Sequence, residues 1–193
     1  MKYLNFSSRR YAIMIIDDIE RVFFSREEID KTVKRLGAEI TRDYDGKFPV
    51  FVGVLKGSFV FMADLMKNVD TYCEVDFMAV SSYGDGTKTT GAVKITKDLN
   101  RDIEGRHIVI IEDILDSGVT LSYLKKYLGM RNPASIKICT LLDKPARRQV
   151  DVAADYYGFI CPDAFIVGYG LDYAEKYRNL PYIGILKEEV YSK

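Results

Sequence analysis

Three carboxylates, Glu112, Asp113 and Asp116, stand beside Ser117, Gly118 and Thr120 in the run IVIIEDILDSGVT from Ile108 to Thr120. Hydroxyls and a glycine where a helix begins suit a phosphate, because free backbone N–H groups gather there. Carboxylates repel phosphate, so one ligand that satisfies both must carry phosphate at one end and hydroxyls, or a bound divalent cation, at the other. A phosphorylated sugar has that form: its hydroxyls can donate to Glu112 and Asp113, its phosphate can lie in the turn, and magnesium can bridge remaining oxygens. An isolated acidic loop also has a plainer reading, in which Asp113 and Asp116 cap a helix and Glu112 is solvated. Two further stretches favour the ligand. Leu55-Lys56-Gly57-Ser58 is a second anion-type turn, where glycine permits close backbone approach and Lys56 adds charge, and Asp143-Lys144 ends a third apolar run.

These residues need a frame. SREEIDKTVKRLGAEITRDY predicts an amphipathic helix, with Ser25 as N-cap, Glu28 three residues on, and Ile29, Val33, Leu36 and Ile40 on one face. FPVFVGVL reads as a strand leading through a tight loop into a helix over KGSFVFMADLMKNV, and CEVDFMAVSSY as another strand. The Gly- and Thr-rich SSYGDGTKTTG then separates it from AVKITKDL, as in a long mobile hairpin. RHIVII, the helix VTLSYLKKYLGM with Leu121, Leu124 and Leu128 at helical spacing, and the strand SIKICTLLD make a second strand–helix unit. Two such units predict an α/β fold: a central, mainly parallel sheet flanked by helices, with Glu112 and Asp113 just beyond a strand's carboxyl end, where such sheets bind ligands. Past Pro145, the stretches YYGFI, AFIVGYG and PYIGIL read as short strands that form a small hood lobe with the N-terminal residues. The expectation is one domain over residues 1–193, with its core at about 25–155 and the hood from the chain start and about 156–193.

Composition narrows the function. A chain of 193 residues with 48% hydrophobic character can close one substantial core. Lys plus Arg and Asp plus Glu number 28 each, so no global field draws the chain to nucleic acid or an anionic membrane. Cys73, Cys139 and Cys161 are odd in number and lack CxxC spacing, against a disulfide framework or a structural zinc site. MKYLNFSSRR lacks the apolar centre of a signal peptide and no apolar stretch approaches spanning length, so a soluble cytoplasmic protein is expected. GDGTKTTG only superficially resembles the GxxxxGK[ST] loop of a kinase-type nucleotide enzyme.

IVIIEDILDSGVT resembles the phosphoribosyl-pyrophosphate signature of the type I phosphoribosyltransferases. With LKGS, SSYGDGT, LLDKPARR and AFIVGYGLDYAEKYRNLPYIGIL, in order and spacing from about Phe48 onward, the chain is similar to the hypoxanthine-guanine branch of that family. The resemblance implies that a six-oxopurine attacks the anomeric carbon of phosphoribosyl pyrophosphate, releasing pyrophosphate. Glu112 and Asp113 would hold the ribose hydroxyls, and Asp116 would face the purine imidazole nitrogen as catalytic acid or base. Ser117, Gly118, Val119 and Thr120, with neighbouring Ile114 and Leu115, would surround the ribose phosphate. Leu55, Lys56 and Gly57 would bind pyrophosphate, with a non-proline cis bond between Leu55 and Lys56. Lys144 would donate to the exocyclic oxygen of the base, a position where adenine offers a competing donor. Phe165 would stack on the base, with the Ile166 backbone at its edge; without the resemblance both read as core residues. Arg178 would contact pyrophosphate, and Mg2+ would be held by Glu112, Asp113 and Asp172; sequence alone leaves Asp172 and Arg178 as surface charges. Ser82 and Tyr83, with Gly84, Gly86 and Gly91, would form a closing loop that keeps water from the reaction. Ser58 and Ser117 stand where glycine and threonine are frequent in the family. The resemblance also implies a homodimer or homotetramer. A different class of function, an RNA-binding regulator that keeps the fold as a nucleotide sensor, is opposed by the neutral composition, which offers no basic cluster beyond Arg147-Arg148. His107, the sole histidine, reads as structural.

Overall fold

The computed structural model describes residues 15–82 and 93–192, without the Ser82 side chain. In chain order its elements are β1 (Ile19–Phe24), α1 (Arg26–Tyr44), β2 (Val50–Leu55), α2 (Phe59–Met66), β3 (Glu74–Ser82), β4 (Val93–Lys97) and β5 (His107–Leu115). There follow α3 (Val119–Gly129), β6 (Ser135–Asp143), a 3-10 turn over Pro145–Arg147, β7 (Tyr156–Ile160), β8 (Ile166–Val167), β9 (Ile183–Leu186) and α4 (Glu188–Tyr191). Six strands form the main sheet in the order β4-β3-β2-β5-β6-β7, parallel throughout except for β4 at one edge.

α1 begins where the sequence places it. The Glu28 amide donates to Ser25 Oγ at 3.3 Å and the Ser25 amide donates to Glu28 Oε2 at 2.8 Å, which satisfies two of the donors a helix start leaves open. Strand alternation then divides the core. In β2, Phe51 points to the face covered by α1 and α2, among Ile29, Leu36, Phe61 and Leu65, while Val50, Val52 and Val54 point to the face under Leu121, Leu124 and Leu128 of α3. Each fully buried aliphatic of this kind contributes about 1.5–3 kcal/mol by leaving water.

Three expectations are corrected. β5 does not stop at the apolar run: Glu112 pairs with Thr140 and Ile114 with Leu142, so the acidic pair lies inside the strand rather than past its end. Backbone pairing continues because β6 beside it is equally long, a condition that hydrophobicity within β5 does not report. YYGFI, expected in the hood, is β7 of the main sheet, with Cys139 opposite Tyr156 and Asp143 opposite Ile160. A short apolar run states that it pairs, not with what. In AFIVGYG only Ile166 and Val167 are strand.

The hood is the antiparallel sheet β1-β9-β8, drawn from both ends of the chain and packed on Ile19, Val167, Tyr177, Leu180 and Leu186. Residues 1–14 and the expected closing-loop residues Tyr83, Gly84, Gly86 and Gly91 lie outside the described residues; Ser82 ends β3 opposite Val93. Among the described residues no helix is long and apolar enough to cross a membrane.

Candidate active site

After β2 the chain turns to β3 on one side, whereas β5, β6 and β7 proceed on the other, so the sheet order reverses between β2 and β5. In an open α/β sheet that reversal leaves a crevice at the carboxyl ends. The Leu55–Lys56 peptide there is cis. Gly57 lies so close to Asp113 that any Cβ would fall on the carboxylate, so no other residue fits without displacing an acid of the site. The Ser58 hydroxyl turns away, buried and donating to the Val54 carbonyl at 2.6 Å, so its presence in place of glycine leaves the loop's approach open.

The loop from β5 to α3 is held from behind. The Lys144 amide donates to the Leu115 carbonyl at 2.9 Å, the Arg148 guanidinium to the same carbonyl at 3.0 Å, and the Gln149 amide to the Ser117 carbonyl at 2.9 Å. Arg148 also pairs with Asp143. Gly118, at φ +81°, turns the chain into α3 in a conformation that a side chain disfavours. The Val119 amide reaches Ser117 Oγ at only 3.4 Å, and Gly118 offers no capping group, so the opening amides of α3 suit an anion.

Polar satisfaction marks this crevice. Among the described residues, the buried side-chain atoms without a hydrogen-bond partner are Glu112 Oε2, Asp116 Oδ1 and Arg178 Nε. Buried polar groups are ordinarily paired, and leaving one open costs about 1–3 kcal/mol. Burial first, then the neighbouring Asp113 charge, pushes the Glu112 carboxyl well above its ordinary value. Burial pushes Asp113 up to about 6, against the opposing pull of its backbone hydrogen bonds and of Arg178. Glu112 Oε2 and Asp116 Oδ1 are thus acceptors short of donors, and Arg178 Nε is a donor short of an acceptor.

Beside them opens a cleft of about 360 Å³, lined by Ile114, Asp116, Lys144, Phe165, Ile166 and Tyr191 among others. Lys144 is 4% exposed; its Nζ donates to the Ala164 carbonyl at 2.9 Å and pairs with Asp163 Oδ1 at 3.1 Å. An ammonium has three N–H groups, so one remains for a ligand. Arg147 bridges Asp163, at 3.5 Å, and Asp116, whose Oδ1 lies 3.4 Å from Nε without hydrogen-bond geometry. Phe165 is 38% exposed, whereas Ile166 is buried.

On the other flank, Lys56 Nζ meets the Glu175 carboxylate at 3.1 Å, while Arg178 pairs with Asp172 at 2.8 Å and donates to the Gly170 carbonyl at 2.7 Å. Glu112, Asp113 and Asp172 do not converge into a ready cage: among the described residues no three acidic, histidine or cysteine side chains do. Ser117, Val119 and Thr120 stand at the head of α3 as expected. His107 lies at the other end of β5, its Nδ1 2.8 Å from Ser135 Oγ and its ring edge-on to Tyr44.

The structure adds Arg147, Arg148, Asp163, Glu175 and Tyr191 to the residues read from the sequence. The two arginines were visible in LLDKPARR, but as charge rather than as ties. Asp163, Glu175 and Tyr191 carry no signal of their own.

Residues 25–174 match the phosphoribosyl transferase domain family. The chain is 62% identical over 178 residues to the hypoxanthine-guanine phosphoribosyltransferase of Bacillus subtilis, covering 92% of this chain and 99% of that protein. It is 55% identical to the enzyme of the same name from Streptococcus pneumoniae, over 93% of this chain and 99% of that one. The structure superposes on a hypoxanthine phosphoribosyltransferase from Staphylococcus aureus with a TM-score of 0.90 and 53% identity, covering 93% and 98% of the two chains. A hypoxanthine-guanine phosphoribosyltransferase from Bacillus anthracis gives a TM-score of 0.84 and 50% identity over 88% of this chain and 99% of that one. By the domain match, by identity over nearly its whole length and by a sheet that reverses at the acidic strand, the chain belongs to the type I phosphoribosyltransferase family.

Proposed function

We propose that this chain is a purine salvage enzyme that transfers the 5-phosphoribosyl group from phosphoribosyl pyrophosphate to hypoxanthine or guanine, forming the monophosphate and pyrophosphate. The observation that carries the reading is the set of unpartnered buried atoms on Glu112, Asp116 and Arg178. A ribose diol donates to the first, a protonated purine nitrogen to the second, and a phosphoryl oxygen accepts from the third. The ribose phosphate lies in the turn from Ser117 to Thr120, flanked by Ile114 and Leu115, and pyrophosphate lies on Leu55, Lys56 and Gly57.

The base enters the cleft against Phe165, with the Ile166 backbone at its edge. The remaining N–H of Lys144 donates to the exocyclic oxygen of the base. An exocyclic amino group would present donor to donor and leave a buried ammonium N–H unpaired, so adenine is rejected. As one imidazole nitrogen bonds to the anomeric carbon and pyrophosphate departs, the proton on the other passes to the Asp116 carboxylate; the reverse reaction returns it. Arg147 and Arg148 hold the loop on which Asp116 stands.

Magnesium would be held by one or two of Glu112, Asp113 and Asp172 together with substrate oxygens, as this ion prefers, and would supply charge neutralisation for the departing pyrophosphate. The unpartnered Glu112 oxygen and the raised Asp113 carboxyl suit such a cation. The enzyme acts in the cytoplasm as a homodimer or homotetramer, which sedimentation of the purified chain would resolve.

The test is a competition among hypoxanthine, guanine, xanthine, adenine and uracil with phosphoribosyl pyrophosphate and magnesium, reading out the nucleotide formed. Inosine or guanosine monophosphate is expected; robust adenylate formation would sink the specificity assigned to Lys144.

A further inference from the structure

Tyr191 lies in no motif, close to the end of the chain. It occupies the single-turn helix α4, whose N-cap residue Lys187 donates its amide to the Asp18 carbonyl at 3.0 Å. Val190 and Tyr191 pack on the hood core around Ile19, Val167 and Leu186, so both chain ends fix the position of this ring. From there Tyr191 lines the same cleft as Asp116 and Lys144. Its ring stacks on Phe165 with centroids 4.5 Å apart and planes inclined by 15°, while Tyr173 meets Phe165 edge-on at 5.5 Å and 89°.

We propose that Tyr191 is a base-recognition residue, completing with Phe165 the aromatic wall that holds the purine. Phe165 sits just before the two-residue strand β8, with its carbonyl held by the Leu186 amide at 2.9 Å, but its side chain is more than a third exposed and so gains its support from neighbouring rings. A ring stacked on Phe165 and a second ring edge-on restrict its rotamers and present a preformed flat surface, which reduces the ordering cost of binding a flat ligand. Purines offer a large π-face, and contacts of this kind are tolerant of which oxopurine binds. Tyr191 thus contributes affinity for the base as a class, while Lys144 separates oxo from amino forms. The inference rests on the reading that this cleft takes the base.

Steady-state kinetics on the full-length chain test it, varying hypoxanthine and phosphoribosyl pyrophosphate separately for wild type, Tyr191→Leu, Tyr191→Phe and Phe165→Leu. For Tyr191→Leu the KM for hypoxanthine should rise by between about twofold and about tenfold, the size of a lost aromatic stack, with the KM for phosphoribosyl pyrophosphate unchanged. Tyr191→Phe should restore the wild-type value, because the ring and not the hydroxyl acts. A KM for hypoxanthine that is unchanged or lowered in Tyr191→Leu, while Phe165→Leu raises it, overturns the role of Tyr191 alone; a lowered value would mean that the ring occupies the base's place. If both leucine variants leave that KM unchanged, the assignment of the cleft to the base falls with it. Tyr191→Trp keeps an aromatic ring in a chain that has no tryptophan, giving one fluorescent reporter. Its emission should change on saturation with inosine monophosphate, and indifference to the nucleotide would also overturn the proposal.

Discussion

Replacing Asp113 by asparagine should stabilise the ligand-free protein at neutral and higher pH while weakening its hold on phosphoribosyl pyrophosphate. Asp113 is buried, and burial lifts its carboxyl from the ordinary 3.8 to about 6. Below pH 3.8 the folded and unfolded chains both carry the proton. Between 3.8 and about 6 the folded chain binds more protons than the unfolded one, so stability falls as pH rises, and above about 6 the full penalty is present. A shift of roughly two units corresponds to about 3 kcal/mol. Asparagine cannot ionise, matches the shape, and keeps the acceptor for the Ile114 amide, now 2.7 Å from Asp113 Oδ1. Its amide N–H groups lack assured partners, which offsets part of the gain. The variant should therefore be more stable by about 1–3 kcal/mol at about pH 8, a rise of roughly 2–4 °C in Tm per kcal/mol for a chain of this size. The gain should disappear by about pH 4, leaving only the pH-independent cost of the amide. The assay is a series of thermal melts from about pH 4 to pH 8 in chelator, without substrate, beside calorimetric titration with phosphoribosyl pyrophosphate and magnesium. A lowered Tm at pH 8, or a difference that does not change with pH, would refute the view that this carboxylate is held ready for a ligand at the expense of stability.

Asp116→Asn should fold normally and bind phosphoribosyl pyrophosphate, yet lose about 10²–10⁴ in kcat with hypoxanthine; an unchanged kcat with a stability loss of about 1 kcal/mol would make Asp116 a helix cap instead. Lys144→Gln, whose amide can accept as well as donate, should shrink the ratio of kcat/KM for hypoxanthine over adenine by about tenfold or more, and an undiminished ratio would remove Lys144 from base discrimination. Ser25→Ala breaks the capping box of α1 and should lower stability by about 1 kcal/mol in urea titration while kcat stays the same; a change in kcat would show that α1 reaches the active site.

Some of this protein is determined by sequence neighbours. The Ser25–Glu28 box spans three residues, the core face of α1 repeats at helical spacing, and the turn after Asp116 that opens α3 is one continuous stretch, so each is legible without knowing what lies across the fold. The pairing of Gly57 with Asp113 was half visible: both turns could be read, but not that one glycine would lie against one carboxylate. Other features depend on which segments meet. Lys56 faces Glu175 from 119 residues away, Lys144 meets Asp163 by way of β7, and Tyr191 reaches Phe165 through a hood sheet that both chain ends build. The length of β5 past its apolar run depends on β6, and the place of YYGFI in the main sheet on the open edge that β6 offers. The charge state of Glu112 and Asp113 belongs to this second group. Their identity as acids is in the sequence, but the proton affinity that makes them wait for a donor comes from desolvation, and desolvation is a property of everything packed around them rather than of their neighbours in the chain.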